Sequence, residues 1–296
     1  IRDSNTTTTT LTKHATVTSG AFSVAVSSAD IANTLHDGDF KVNASVSDLA
    51  GNANATAVTL KAFTIDTSAP STPSAPSLSS ASDVGAFSSD HITNLTAITL
   101  SGTSASTNAG AEVQLFDNGV KTSATALADN AGAYTFNLTG VSAGEHSYTV
   151  KMVDAAGNTS SASSAGPVSV DTVAPTVSSV TVPGSAVYGR GEQLTFVVKS
   201  SEPLYVGGSY DTSKGIDQAG NPYIQVNLDS PTPQYAYLLR DANGVAVGQG
   251  TDALTFVYEV ASGNLDTTGI TLGSQVVLDG TPITDAAGNN LTLALN

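Results

Sequence analysis

The chain has 296 residues, 40% of them hydrophobic, which suffices for two or three domains with buried cores. Acids outnumber bases 25 to 10, and the formal net charge of −15 argues against binding nucleic acid or an anionic membrane surface. Cysteine is absent, so disulfides and thiolate metal sites are excluded, and no apolar run reaches the 18 residues that membrane insertion requires.

The residues that dominate (Thr, Ser, Gly, Asn, Val and Ala) suit strands and turns better than helices. Glu occupies positions 112, 145, 192, 202 and 259 alone, so 20 of the 25 acids are aspartate. The chain starts at Ile1 without a signal peptide and reads as a piece of something longer.

In the first unit, Gly20-Ala21-Phe22 matches Gly132-Ala133-Tyr134 further on, which sets Ile1 opposite Val113. Counterparts of residues 71–112, about two strands and a lead-in, are missing from it. Either a truncation removed them or another chain supplies them by strand addition, and an uncovered edge there should be sticky. Val46-Ser47-Asp48-Leu49-Ala50-Gly51-Asn52 follows, then Ile65-Asp66-Thr67-Ser68-Ala69-Pro70. Both recur, as Met152-Val153-Asp154-Ala155-Ala156-Gly157-Asn158 and Val170-Asp171-Thr172-Val173-Ala174-Pro175, which fixes a period of about 105 residues.

The middle unit alternates apolar residues as half-buried strands do: Ile98/Leu100, Val113/Leu115, Tyr134/Phe136/Leu138, Tyr148/Val150/Met152 and Val168/Val170. Asp117-Asn118-Gly119 is a hairpin signal, and Asp129-Asn130-Ala131-Gly132 marks another turn. The third unit alternates at Leu194/Phe196/Val198, Ile224/Val226/Leu228, Leu254/Phe256/Tyr258/Val260 and Val276/Leu278, and ends in a third Asp285-Ala286-Ala287-Gly288-Asn289. Its stretch Tyr205–Tyr223, rich in Gly, Asp and Tyr, reads as a long loop. The resulting fold class is all-β: three tandem Ig-like β-sandwich domains in an elongated array. They span 1–69 (N-terminally truncated, lacking its first strands), 70–174, and 175–296, the last a variant with a long loop around 205–223.

Asp48 and Asp154 open matching turns, while Asp66 and Asp171 end matching strands just before a Pro-containing linker. Asp83 and Asp90 lie in the lead-in of the middle unit. Each Asp-x-Ala-Gly-Asn is readable as a turn alone, with Asp bonding its own backbone and Gly at positive φ. The alternative is that neighbouring acids converge and a hard cation relieves their repulsion; oxygen ligands without His or Cys select calcium (Ca2+).

These motifs, with Ser89-Asp90-His91-Ile92-Thr93-Asn94 ahead of Ala97-Ile98-Thr99-Leu100-Ser101-Gly102-Thr103, resemble the bacterial Ig-like repeats in stalks of large type I-secreted, RTX-type adhesins and biofilm-associated surface proteins. The third unit is similar to a sister family of extracellular sandwich repeats through Gly191–Phe196, Ser201-Glu202-Pro203 and Leu254–Tyr258. The resemblance implies calcium at domain junctions, with Asp48, Asp66, Asp83 and Asp90 as metal ligands at the first and Asp154 and Asp171 at the second. The third unit departs from it, offering Tyr188-Gly189-Arg190-Gly191-Glu192 where an Asp lead-in stands, so a full ligand set at the second junction does not follow.

Catalytic signatures are wanting. His14, His36, His91 and His146 are scattered, no Gly-x-Ser-x-Gly elbow occurs, and a carboxylate pair for glycoside hydrolysis would lack aromatic platforms in a chain that is 6% aromatic without Trp. The function read from the sequence is a non-catalytic stalk of an extracellular bacterial surface adhesin, made rigid by calcium. Its partners are neighbouring repeat domains of the same polypeptide. The alternatives are an adhesive face for a host or matrix glycan or protein, built on Tyr188, Tyr205, Tyr210, Tyr223, Tyr235 and Tyr237, or a self-assembling surface layer or fibre.

Overall fold

The computed structural model describes residues 2–3, 10–53, 58–229 and 232–295. Among them the chain is nearly all strand and turn, with helical turns at Ser28–Asp30, Ile31–Leu35 and Ser106–Asn108. The structure divides into two compact units. One holds Ile1–Ala75, Gly102–Tyr134 and Thr149–Ser164; the other holds Pro76–Ser101, Thr135–Tyr148 and Ala165–Asn296. These units cut the chain differently from the sequence repeats, because strands Ile98–Thr103, Ala133–Leu138 and Gly144–Val153 each have residues in both.

In the first unit Arg2–Asp3, Gly38–Ala44 and Val58–Ile65 form an antiparallel sheet in that order. Its small core is Leu35, Phe40 and Ile65, with Leu11, Ile31 and Phe63 against it. The helical turn that delivers Leu35 starts at a capping box: Asp30 N donates to Ser27 Oγ while Ser27 N donates to Asp30 Oδ2. The same unit contains the hairpin Glu112–Asp117 and Val120–Leu127, closed by the two-residue turn Asn118-Gly119. Both turn residues have positive φ, 49° and 80°, as the twist-matched hairpin turn demands. Gly119→Val should therefore destabilise the chain by about 1–2 kcal/mol through backbone strain alone, since the site around Gly119 is open; urea unfolding would measure it.

In the second unit Ile92–Thr93 pairs in parallel with the end of Gly166–Val170, which pairs antiparallel with Gly144–Tyr148. A seven-stranded sheet follows, in the order Val177–Thr181, Gln193–Val206, Thr251–Glu259, Gln234–Leu238, Tyr223–Asn227, Thr271–Val277, with Ile283–Thr284 joined to Gln193–Val206. Alternation places Leu194, Phe196, Val198, Ile224, Val226, Leu254, Phe256 and Val276 in one core, each at most 2% exposed.

The predicted loop begins later than the composition indicates. Tyr205 and Val206 end the 14-residue strand Gln193–Val206, where Val206 faces the core, and irregular chain runs from 207 to 222. Its Asp217–Asn221 copy of the turn motif anchors that loop: buried Asn221 Nδ2 donates to Ile216 O and Leu238 O, and Oδ1 accepts from Arg240 Nε. Among the described residues no helix is long and apolar enough to cross a membrane. The architecture is all-β with sandwich-like sheets, as the alternation predicts.

Candidate cation site at the aspartate turns

Three of the four Asp-x-Ala-Gly-Asn segments fold alike, while in the fourth, Asp217–Asn221, the asparagine bonds Ile216 O, Leu238 O and Arg240 instead. Asp48 Oδ1 accepts from Ala50 N and Asn52 N at 2.9 and 2.8 Å, and Oδ2 accepts from Asn52 Nδ2 at 2.8 Å. Asp154 repeats this with Ala156 and Asn158, and Asp285 with Gly288 and Asn289. The Asn52 side chain and main chain hold the Asp48 carboxyl below the usual carboxylate range, and Asn158 does the same for Asp154.

The last residue of the motif does more than close the turn. Asn158 Nδ2 also donates to the main-chain oxygen of linker residue Asp66, at 3.0 Å. Asn289 Nδ2 likewise donates to Asp171 O at 2.9 Å. In both cases a turn from one repeat grips the strand end of the repeat before it. The similar turns at Asp129 and Asp241 end in Ala133 and Val245, which have no side-chain donor for such a grip.

The second grip assembles a carboxylate group. Asp171 follows strand Gly166–Val170, with its N–H on Thr93 O. Glu202 sits where the pairing of Gln193–Val206 with Thr251–Glu259 shifts register between Lys199 and Leu204, which frees residues 200–203 from that ladder. The pairing of Tyr205 with Thr284 then carries Asp285 to Glu202. One ligand oxygen from each of Asp171, Glu202 and Asp285 lies within 4.8 Å of the others. Asp285 is 3% exposed, and burial together with the Asp285 and Asp171 charges pushes the Glu202 carboxyl up. Glu202 and Asp285 were not among the sequence candidates.

The other candidates fall as follows. Asp66 Oδ1 accepts from Ser68 N, Asp171 Oδ1 from Val173 N, and Asp90 Oδ1 from Ile92 N. Asp83 is 4% exposed; its Oδ2 accepts from His91 N, while Oδ1 has no hydrogen-bond donor. The loop between Asp83 and Asn94 clasps the third turn: Ala86 N donates to Ala286 O, and a Cβ on Gly85 would come 2.2 Å from that same oxygen. Asp83 and Asp90 are thus on the loop that touches the turn of Asp285, a grouping that sequence order did not give.

The tyrosines pack on one another and on the loop. Tyr223, Tyr235 and Tyr237 meet edge-on or tilted with centroids 4.9–6.4 Å apart. Arg240 covers the Tyr210 ring at 4.6 Å, Tyr188 Oη donates to Gly184 O, and Tyr205 meets Phe87 edge-on.

A comparison with curated proteins gave no match. Among solved structures, the chain is similar to the fibronectin(III)-like modules of Clostridium thermocellum CbhA (16% identity, 66% of this chain and 81% of that one, TM-score 0.29). It is also similar to the human OSCAR ligand-binding domain (14%, 71% and 100%, TM-score 0.28). A third is a structure concerning host cell surface retention of a 1.5-MDa bacterial ice-binding adhesin (16%, 92% and 79%, TM-score 0.32). Likenesses this distant carry no functional argument. Residues 69–172 match the family described as bacterial Ig-like domain.

Proposed function

We propose that the chain is a non-catalytic spacer segment of an extracellular bacterial surface adhesin, of the large type I-secreted kind that supports adhesion or biofilm formation, and that calcium at the aspartate turns stiffens it. The observation that carries this reading is the group Asp171, Glu202 and Asp285, gathered at the turn where Asn289 holds the preceding linker. Like charges 4–5 Å apart repel by up to about 3–4 kcal/mol per pair at an effective dielectric near 20, less where water reaches them. A divalent cation turns that repulsion into attraction. The donors fit calcium: all are oxygens, which select a hard cation, and calcium accepts a wider range of ligand numbers and angles than magnesium does. Asp83 supplies independent support, a buried carboxylate oxygen without a donor in the loop that clasps the same turn. Asp66 and Asp154, joined by the same asparagine grip, are the corresponding acids one repeat earlier, and the proposal extends to Asp48 and Asp90 as further oxygen ligands.

The spacer reading is favoured over an adhesive face because the tyrosine rings are tilted against one another rather than laid out as a flat platform. Small-angle scattering of the chain in EDTA and in millimolar calcium tests it. The expected result is a narrower distribution of dimensions with calcium. Superimposable curves would reject the stiffening.

A further inference from the structure

We propose that the outer face of strands Tyr223–Asn227 and Gln234–Leu238 docks a basic segment of a partner polypeptide, with an arginine side chain seated on Tyr223, Tyr235 and Tyr237. Alternation fixes which side chains reach that face. Ile224, Val226, Ala236 and Leu238 are buried in the core, so Tyr223, Gln225, Asn227, Tyr235 and Tyr237 take the other side. The ladder sets Tyr223 opposite Tyr237 and Gln225 opposite Tyr235. Tyr235 is 36% exposed, and neither these strands nor the flanking Thr271–Val277 carry a charged residue.

The rings suit a cation better than a sugar. Their planes stand 58–67° apart, so they offer no flat platform, yet a ring face attracts positive charge without one. A guanidinium about 4 Å above the centre of the triangle of ring centroids would lie about 5 Å from all three, within the ~6 Å over which cation–ring attraction acts. The chain makes such contacts elsewhere: Arg240 covers Tyr210 at 4.6 Å, and Lys151 approaches the Phe116 ring at 5.5 Å.

The surroundings set the sign of the ligand. Gln225 Nε2 donates to Asn227 Oδ1, which leaves the Gln225 carbonyl oxygen to accept a guanidinium N–H beside Tyr235. Exposed Asp217 and Asp279 put negative potential on the cluster: burial and then the Asp217 charge push the Tyr237 hydroxyl up, and Asp279 adds to it. Arginine fits better than lysine, because its planar fork can lie on a ring and still donate at its edge. A net charge of −15 favours a basic partner and opposes a second copy of this chain. Docking here does not require the cation at Asp171.

The test uses the full 296-residue chain and a fluorescent peptide, Gly-Ser-Arg-Gly-Ser-Arg-Gly-Ser, beside a control peptide with citrulline in place of arginine. Anisotropy should rise saturably with the arginine peptide, and the ring-proton NMR signals of Tyr235 and Tyr237 should shift. Citrulline keeps the shape and loses the charge, so the control should bind about fivefold more weakly or worse. Tyr235→Leu should weaken binding about three- to fivefold with unchanged melting, while Tyr235→Phe, which keeps the ring, should stay within about twofold. The ring shifts of the unaltered chain stand whether or not the leucine variant folds. Absence of binding, equal binding of the citrulline peptide, or equal binding by Tyr235→Leu would overturn the proposal, the last by spreading the peptide over the acidic surface at large. So would the same ring shifts produced by a neutral oligosaccharide alone, or self-association that shuts the peptide out.

Discussion

Calcium supplied at one hundred times its dissociation constant should raise the stability of the chelator-stripped chain by about 2.7 kcal/mol, and Glu202→Gln should reverse sign between the two conditions. Without a cation, Glu202 is held near Asp171 and Asp285 by the strand break at Lys199–Leu204 and the Tyr205–Thr284 pairing, whatever its charge costs. Replacing it with the uncharged isostere removes two repulsions, so the variant should melt above the wild type in EDTA. With calcium present the same change removes a ligand, and the variant should melt below the wild type. A Glu202 that only packed would shift both melting curves in one direction, so thermal denaturation with and without chelator separates the two cases.

Asn289→Ala should cost about 1–3 kcal/mol, the price of leaving buried polar groups without a donor. Its Nδ2 serves Asp285 Oδ2 at 2.8 Å and Asp171 O at 2.9 Å, and Asp285 is nearly inaccessible to a replacement water. Asn52→Ala, by contrast, removes a hydrogen bond to Asp48 on an exposed turn and should cost less. Asn289→Asp should be worse than Asn289→Ala in EDTA, since it adds a fourth negative charge beside three. Urea unfolding monitored by tyrosine fluorescence would rank the variants.

Much of the fold is legible because alternation is a local signal. Leu194, Phe196 and Val198 announce a strand by themselves, as do Tyr148, Val150 and Met152, and all six are buried. Gln234–Leu238 is harder to read, because its outward residues are Tyr235 and Tyr237 and its inward ones a small Ala236 and Leu238, which blurs the polar–apolar contrast. The helical turn at Ser28–Leu35 is short and carried by a single cap, below what periodicity detects.

For the site, the repeated Asp-x-Ala-Gly-Asn turn is plain in the sequence, and so is the asparagine that separates it from the turns at Asp129 and Asp241. The grouping of carboxylates is not. Glu202 and Asp285 meet through a ladder between segments roughly 80 residues apart, and register across such a distance is set by the whole sheet rather than by any local motif. Tyr188–Glu192 offers no Asp lead-in, and the carboxylate that joins Asp171 and Asp285 comes from Glu202, in the strand that follows.

The most direct measurement is a crystal structure of the chain grown in millimolar calcium. The account predicts an ion bound by Asp171, Glu202 and Asp285 with oxygen distances of about 2.3–2.6 Å. Well-ordered carboxylates turned away from one another, bonded to water with no ion among them, would contradict it.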